Sequence, residues 1–412
     1  LWEDSTLRRV VLGGEFMRVL SRLLITASVL TSASVTAAVA DDDEVLIGAA
    51  TSFSGWMAVF DTSTTQAAEL AVQDINANGG VLGKKVRLVH IDTKTDAAQT
   101  ARAAQDLVKQ GVKMMLTACD FDTGAPAALV AQQANVLAIS SCGGDMKSGD
   151  LTIGNNVFTM ATDAEGSGRI LADWATKKMG WKTAYALVDT FIEYNKSVCR
   201  GFVAQFRELN GDASVVLEDT FKNADVSVAT QISRYNALAD KPQVMALCSV
   251  PPGLASAIRQ FRSAGIDIPV LMGTGGDGSA WHSAVPGLTD YYYMNYSGDA
   301  GVEEPRPNVR DFNEKFGKQF GERPDSGMGV TGYSVVEAWA RAVERAGSFE
   351  TDKVRAELEK FTDEPLLAGL TTFTPKLHTN LNRPMLMIEI KDTKPNPIGF
   401  YDMRKGEYVE WW

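Results

Sequence analysis

The stretch AVQDINANGGVLGKKVRLVHID, residues 71–92, decides the fold. Asn78-Gly79-Gly80 stops a helix, because glycine takes the left-handed conformation that closes a helix at little steric cost. Directly afterwards, KKVRLVHID changes to a period of two, with Val86, Leu88 and Val89 as its apolar positions. Upstream, EVLIGAAT (44–51) reads as another strand and TTQAAELAVQDI as the helix between them. A strand, a crossover helix and a second strand predict a parallel sheet.

The same alternation runs through the rest of the chain. VKMMLTA (112–118) and NVLAISS (135–141) continue a first block, with helices expected at 62–76, 97–110 and 123–133. A second block holds TAYALVD (183–189), SVVLEDTF (214–221), QVMALCS (243–249) and IPVLMG (268–273), with helices expected at 194–209, 227–238 and 253–264. The strand YYYMNYS (291–297) follows, then helices at 305–320, 331–346 and 351–360 and a hairpin-like tail. Lys394 to Pro397 carries the turn chemistry expected to reverse that tail. The expected fold class is therefore α/β, two doubly wound units of similar size. In open α/β sheets, ligands lie beyond the carboxyl ends of the strands. Six segments follow strands here: TSFSGWMAVFD, CDFDTGAP, SCGGDMKSG, DTFIEYN, CSVPPG and GTGGDGSAWH. All combine small or hydroxyl residues with acids or rings, the materials of a small-molecule cleft.

The bulk properties fit an exported protein. From Met17, the segment MRVLSRLLITASVLTSASVTAAVA (17–40) has a charged start, a short apolar run and an Ala-Val-Ala cleavage site, and is expected to be a signal peptide. Residues 1–16 read as untranslated sequence or a cloning artefact. Removing 1–40 takes away four Arg and three acids, moving the net charge from −11 to −12. An acidic chain with no basic cluster excludes nucleic acid and anionic lipid as natural partners. No second apolar stretch approaches a membrane span. Cys119, Cys142, Cys199 and Cys248 are an even set in an oxidising compartment. Cys119 and Cys142 fall at the ends of neighbouring strands, favouring Cys119–Cys142 and Cys199–Cys248; four buried free thiols are the alternative. No C-x-x-C pair occurs and the three histidines are scattered, so no metal site is expected.

Several segments also resemble the periplasmic solute-binding proteins of branched-chain amino acid and amide ABC transporters. AAELAVQDINANGGVLGKK (67–85) is similar to a recurrent family pattern; IGAATSFSGWMAVFD (47–61), AIRQFRSAGIDIPVLMGTGG (257–276) and TGYSVVEAWARAVERAG (331–347) resemble other family segments. The resemblance implies the type I periplasmic binding protein fold, two Rossmann-like lobes joined by three hinge crossovers near 161–164, 292–298 and 371–376. It implies lobe 1 at 44–162 plus 297–373 and lobe 2 at 163–296 plus 374–412. It further implies a monomeric, cofactor-free periplasmic protein that closes on a small solute and delivers it to permease subunits without chemistry.

The family's ligand positions carry over residue by residue. Phe60 matches the ring that covers the ligand. Where a hydroxyl residue normally holds the ligand carboxylate, the best register gives Phe121, flanked by Asp120 and Asp122. Thr123 serves after a shift of one or two residues, or instead caps the next helix. Cys142, Gly143 and Gly144 fall where the family offers backbone N–H groups and a threonine hydroxyl, the latter absent at Gly144. Tyr194 matches the second-lobe tyrosine. The acid that holds an α-ammonium is replaced by Gly275, leaving Asp277 as the nearest carboxylate. Leucine, isoleucine or valine is therefore not the default ligand.

Two other functions compete. A periplasmic ligand sensor would use the same fold with a different output. GTGGDG also spells G-x-G-x-x-G (Gly273, Gly275, Gly278), with Asp299 about 20 residues on, the fingerprint of a nucleotide-dependent oxidoreductase. Pro286-Gly287 interrupts the helix that such a site needs.

Overall fold

The computed structural model describes residues 43–225, 227–298, 301–381 and 383–410. The expected signal segment 17–40, the preceding 1–16 and Asp299 lie outside these residues. The first sheet contains β1 (Glu44–Thr51), β2 (Lys85–Asp92), β3 (Met114–Thr117), β4 (Leu137–Ser140) and β5 (Val157–Thr159), in the order β2-β1-β3-β4-β5 and parallel throughout. Helices α1 (Ala58–Ala77), α2 (Ala97–Lys109) and α3 (Phe121–Gln133) connect them. The second sheet begins with β6 (Ala184–Asp189), β7 (Val215–Phe221), β8 (Val244–Cys248), β9 (Val270–Met272) and β10 (Tyr291–Asn295), ordered β7-β6-β8-β9-β10 and again parallel. The two orders are the same. Each places a topological switch point between its first and third strands.

The remaining elements complete these layers. Helices α4 (Ala164–Lys177), α5 (Glu193–Asn210), α6 (Ala229–Ala237) and α7 (Gly253–Ser263) belong to the second block. Helices α8 (Pro307–Phe320), α9 (Gly329–Ala346) and α10 (Thr351–Leu358) then lead to a small ribbon, β11 (Glu364–Leu366) and β12 (Gly369–Thr371). Strands β13 (Met385–Lys391), β14 (Lys394–Asp402) and β15 (Glu407–Val409) extend the second sheet antiparallel beyond β10.

The first sheet shows why a parallel sheet needs apolar residues on both faces. Ile47, Met114, Leu116, Leu137 and Ile139 pack with Val335, Trp339 and Leu358 of α9 and α10. The alternate positions Ala50, Met115 and Ala138 pack with Ala103, Leu107, Ala127 and Ala131 of α2 and α3. In the second sheet Tyr185, Leu187 and Leu247 share a core with Trp174, Phe202 and Phe261 of α4, α5 and α7. Helices approach closely where glycine permits. A Cβ on Gly168 of α4 would lie 2.0 Å from the Val198 carbonyl oxygen of α5, and one on Gly201 would lie 2.0 Å from that of Glu165.

The joint at residues 76–86 is structural. Gly79 and Gly80 have φ of 103° and 83°, and a Cβ on Gly80 would sit 1.9 Å from the Lys84 carbonyl oxygen. Asn76 binds the returning strand with both ends of its amide: Nδ2 donates to Val86 O and Oδ1 accepts from Val86 N, each at 2.8 Å. The helix end is thereby stitched to β2.

Three expectations differ from the structure. Helix α4 was not anticipated, because Gly166, Ser167 and Gly168 weaken its local helix signal; Asp163 caps it by accepting from Glu165 N and Gly166 N. The tail reverses at Asp392-Thr393, both at positive φ, while Lys394–Pro397 lies within β14. Pro395 and Pro397 pair with Ile390 and Ile388, whereas β15 reaches β14 only at 400–402, so their missing N–H groups cost no ladder bond on the outer edge. The chain leaves β10 only after Asn295, and its last passage between the sheets spans 372–384 rather than 371–376. There Asn380 pairs with Thr162 and accepts from Asp163 N at 2.7 Å, while the Tyr296 hydroxyl accepts from Thr162 N at 2.9 Å. The three passages are thus bonded to one another.

Candidate functional site

The segments following the parallel strands of both sheets converge on one cavity. Trp56, Met57 and Phe60 enter from the β1–α1 connection, Cys119 and Asp120 from beyond β3, and Cys142 from beyond β4. Ile192 and Tyr194 come from beyond β6, Val250 from beyond β8, Thr274 and Gly275 from beyond β9, and Met328 from the entry to α9. The free volume is about 20 Å³, room for roughly one water.

Each wall is fixed from behind. On the first side, Asp61 is fully buried in the first turn of α1. Its carboxylate accepts from Ser52 N and Cys119 N, both at 2.8 Å, tying together the chain ends of β1 and β3. Burial outweighs those hydrogen bonds and pushes its carboxyl up to about 7. Cys119 and Cys142 are bonded to each other across β3 and β4, and Cys199 to Cys248 beneath the second wall. Asp120 caps α3, accepting from Asp122 N at 2.9 Å. Burial, then the charges of Asp122 and Asp145, raise the Asp120 carboxyl to about 7.

On the second side, the Tyr194 hydroxyl is 3.0 Å from Thr274 Oγ1 and accepts from Gly275 N at 3.2 Å. Burial raises the Tyr194 phenol above its ordinary value. The ring requires glycines around it. A Cβ at Gly275 would lie 2.9 Å from Tyr194 Cε1, and one at Gly273 would lie 2.6 Å from its hydroxyl oxygen. At Gly144 a Cβ would meet the Thr162 carbonyl oxygen at 2.9 Å and Tyr194 Cε2 at 3.6 Å. The two departures noted in the sequence therefore have different causes: the Thr162 carbonyl blocks a side chain at 144, whereas the Tyr194 ring and Val250 fill the space that an acid at 275 would need.

Of the residues expected at the ligand, the structure brings Phe60, Cys142 and Tyr194 to the cavity wall. Gly144 stands behind Tyr194, and Gly143 donates its N–H to Ser140 Oγ at 2.9 Å. Thr123 is buried in the first turn of α3, outside the lining. Asp277 faces elsewhere: Oδ2 accepts from Asn295 Nδ2 at 2.5 Å, Ser326 Oγ at 2.6 Å and Gly327 N at 3.0 Å. It joins the chain after β10 to the entry of α9, and it lines a neighbouring cleft with Phe60, Pro251 and Trp281 rather than the cavity at Tyr194. Trp56, Met57, Asp120, Ile192, Val250, Thr274, Gly275 and Met328 complete the lining; among these the sequence points to Asp120 and Gly275 for the neighbourhood only. Met328 carries no local signal, since it arrives from a segment distant in sequence.

Phe121 and Asp122 lie at the mouth. Asp122 Oδ2 accepts from Glu193 N at 3.0 Å, capping α5 from the opposite side. Lys147 Nζ is 2.5 Å from Glu193 Oε2 and 5.9 Å from the centre of the Phe121 ring. Asp145 accepts from Ser197 Oγ. Lys147, then Lys196, hold the Glu193 carboxyl down to about 2.

The G-x-G-x-x-G run opens no helix: Thr274–Gly276 forms a single tight turn and His282–Ala284 another. Among the described residues no His, Cys, Asp and Glu cluster suits a metal ion, and no helix is long and apolar enough to cross a membrane.

Comparisons agree with this architecture. The chain is 24% identical over 373 residues to Leu/Ile/Val-binding protein homolog 3 of Brucella melitensis, covering 88% of this chain and 95% of that one. The substrate-binding protein LivJ of Streptococcus pneumoniae, solved with isoleucine, superposes with a TM-score of 0.74 at 22% identity, covering 86% of this chain and 99% of that one. The leucine-binding protein LivK of Thermotoga maritima gives a TM-score of 0.75 at 20% identity, covering 88% and 99%. Both are type I periplasmic binding proteins, and the fold is theirs. The profile of the periplasmic binding protein family matches residues 44–395, and the chain belongs to that family.

Proposed function

We propose that this protein is the extracytoplasmic solute-binding subunit of an ABC importer. It captures a small polar solute, an amino acid, amide or related compound, and delivers it to membrane permease subunits. The observation that carries this reading is a cavity lined from the strand ends of both sheets. Such a cavity admits ligand only by separation of its walls and holds it only by their approach. Segments 44–162 plus 297–373 form one lobe and 163–296 plus 374–412 the other, turning about the bonded passages at Thr162, Tyr296 and Asn380. The protein acts in the periplasm as a monomer after removal of residues 17–40 and hands its solute on without chemistry. A thermal-shift screen of amino acids, amides, amines and small carboxylates tests the reading, because a ligand selective for the folded state raises the melting point. Small-angle scattering of the best compound is expected to show compaction. Turnover of any compound, or no compaction with any, refutes the reading.

A further inference from the structure

We propose that the cavity selects a small organic cation lacking a carboxylate, an alkylated ammonium, held by Asp120 against the rings of Trp56, Phe60 and Tyr194. This inference rests on the solute-binding reading and narrows its ligand. Four observations lead to it. Asp120 is the sole charged residue of the lining; no Lys, Arg or His contributes to it. The carboxylate is 4% exposed, and the groups that raise its pKa besides burial are two further acids, Asp122 and Asp145. A ligand carboxylate entering beside it meets repulsion, whereas a ligand cation supplies the counter-charge that burial otherwise denies. Three aromatic rings and the thioethers of Met57 and Met328 form the rest of the lining, surfaces that attract a weakly hydrated cation through ring quadrupole and polarisability.

The second wall excludes the alternative polarity. An acid at position 275 collides with Tyr194, Asp277 is committed to Asn295, Ser326 and Gly327, and Thr274 Oγ1 is engaged by the Tyr194 hydroxyl. A cationic group therefore faces the first wall, where Asp120 stands. Its hydrogen bond from Asp122 N accounts for a helix cap, but serine or threonine would serve that purpose without placing a charge in an aromatic cavity.

The experiment is calorimetric titration of the full protein with choline, neohexyl alcohol (its neutral carbon isostere), glycine betaine and leucine, each paired with scattering. Choline is expected to bind at least tenfold more tightly than the other three. Asp120→Asn keeps an oxygen to cap α3 and is expected to weaken choline at least tenfold while leaving neohexyl alcohol within twofold. Trp56→Leu is expected to weaken choline more than the isostere. Leucine or betaine binding as tightly as choline, or equal losses for choline and its isostere in Asp120→Asn, overturns the cation assignment. Compaction with leucine leaves the solute-binding reading standing without it. Failure of all four, and of the wider screen, to bind or compact the protein removes both.

Discussion

Closure can be weakened at the mouth without touching the cavity. The double substitution Asp122→Ala/Lys147→Ala removes the carboxylate that caps α5 at Glu193 N and the ammonium that pairs with Glu193. The Lys147 and Glu193 side chains are 48% and 22% exposed, so water and salt screen the pair, and its contribution is about 0.2–1 kcal/mol whatever the depression of the Glu193 carboxyl suggests. A carboxylate capping a helix N-terminus contributes about 1 kcal/mol. Both contacts join the first block to α5, so they exist only while the walls are together. Their loss shifts closure by about 1–2 kcal/mol, and a ligand that binds the closed form loses the same amount. The expected outcome is a dissociation constant raised about 5- to 30-fold at 298 K, mostly through faster release. Raising salt toward 1 M, where the screening length is about 3 Å, is expected to weaken the parent protein toward the variant. Calorimetry and stopped-flow release measure this, with the unliganded melting temperature as control. A change below twofold, or a fall in unliganded stability large enough to account for the lost affinity, refutes the reasoning.

Three further outcomes follow from particular contacts. Gly168→Ala and Gly201→Ala each force a methyl against backbone at 2.0 Å, so each is expected to cost about 1–3 kcal/mol or more in chemical denaturation; a neutral result would mean that α4 and α5 do not cross there. Tyr194→Phe strips Thr274 and Gly275 N of their shared partner and is expected to cost about 1–3 kcal/mol in folding or binding, with calorimetry and melting as readouts; unchanged values in both would remove the tyrosine from the site. Asp61 and Asp120 carry carboxyls raised from 3.8 to about 7, so the folded state binds more protons than the unfolded between those values and stability falls as pH rises from about 4 to about 7. The denaturation midpoint is therefore expected to be higher at pH 5 than at pH 8, and flatter in Asp120→Asn. Glu193, held near 2, opposes this only below its ordinary value of 4.5, and His282, pushed down by burial from 6.5 to about 4, opposes it between those values but is one group against two. An unchanged or rising midpoint between pH 5 and 8 defeats this account.

What was legible in the sequence is what local physics determines. The alternation of period-two and helical segments gave the α/β layers, because each strand of the first sheet had to satisfy two apolar faces. Helix α4 was hidden because its glycines lower local propensity and are compensated only by contact with α5, a tertiary event. The turn at Asp392-Thr393 was displaced in the reading by the stronger local signal of Pro395 and Pro397, whose tolerance depends on a free outer edge that pairing alone reveals. At the site, Phe60 and Tyr194 follow strands at the switch points and Cys142 follows the neighbouring β4, and the family resemblance pointed to all three. The hold of Ser326 and Gly327 on Asp277 was not legible, because those partners are 49 and 50 residues away. Gly275 and Gly144 looked like missing functional groups, and only tertiary contacts explain them, with the Tyr194 ring at the first and the Thr162 carbonyl at the second.

The two walls are held by bonds internal to their own sides, Asp61 to Ser52 and Cys119 on one, Tyr194 to Thr274 and Gly275 on the other. The entropy of arranging them is settled during folding rather than at the moment of capture. A rigid mould of this kind gains affinity for compounds that match it and has little freedom to repack around those that do not. Such construction favours a narrow diet over a broad one.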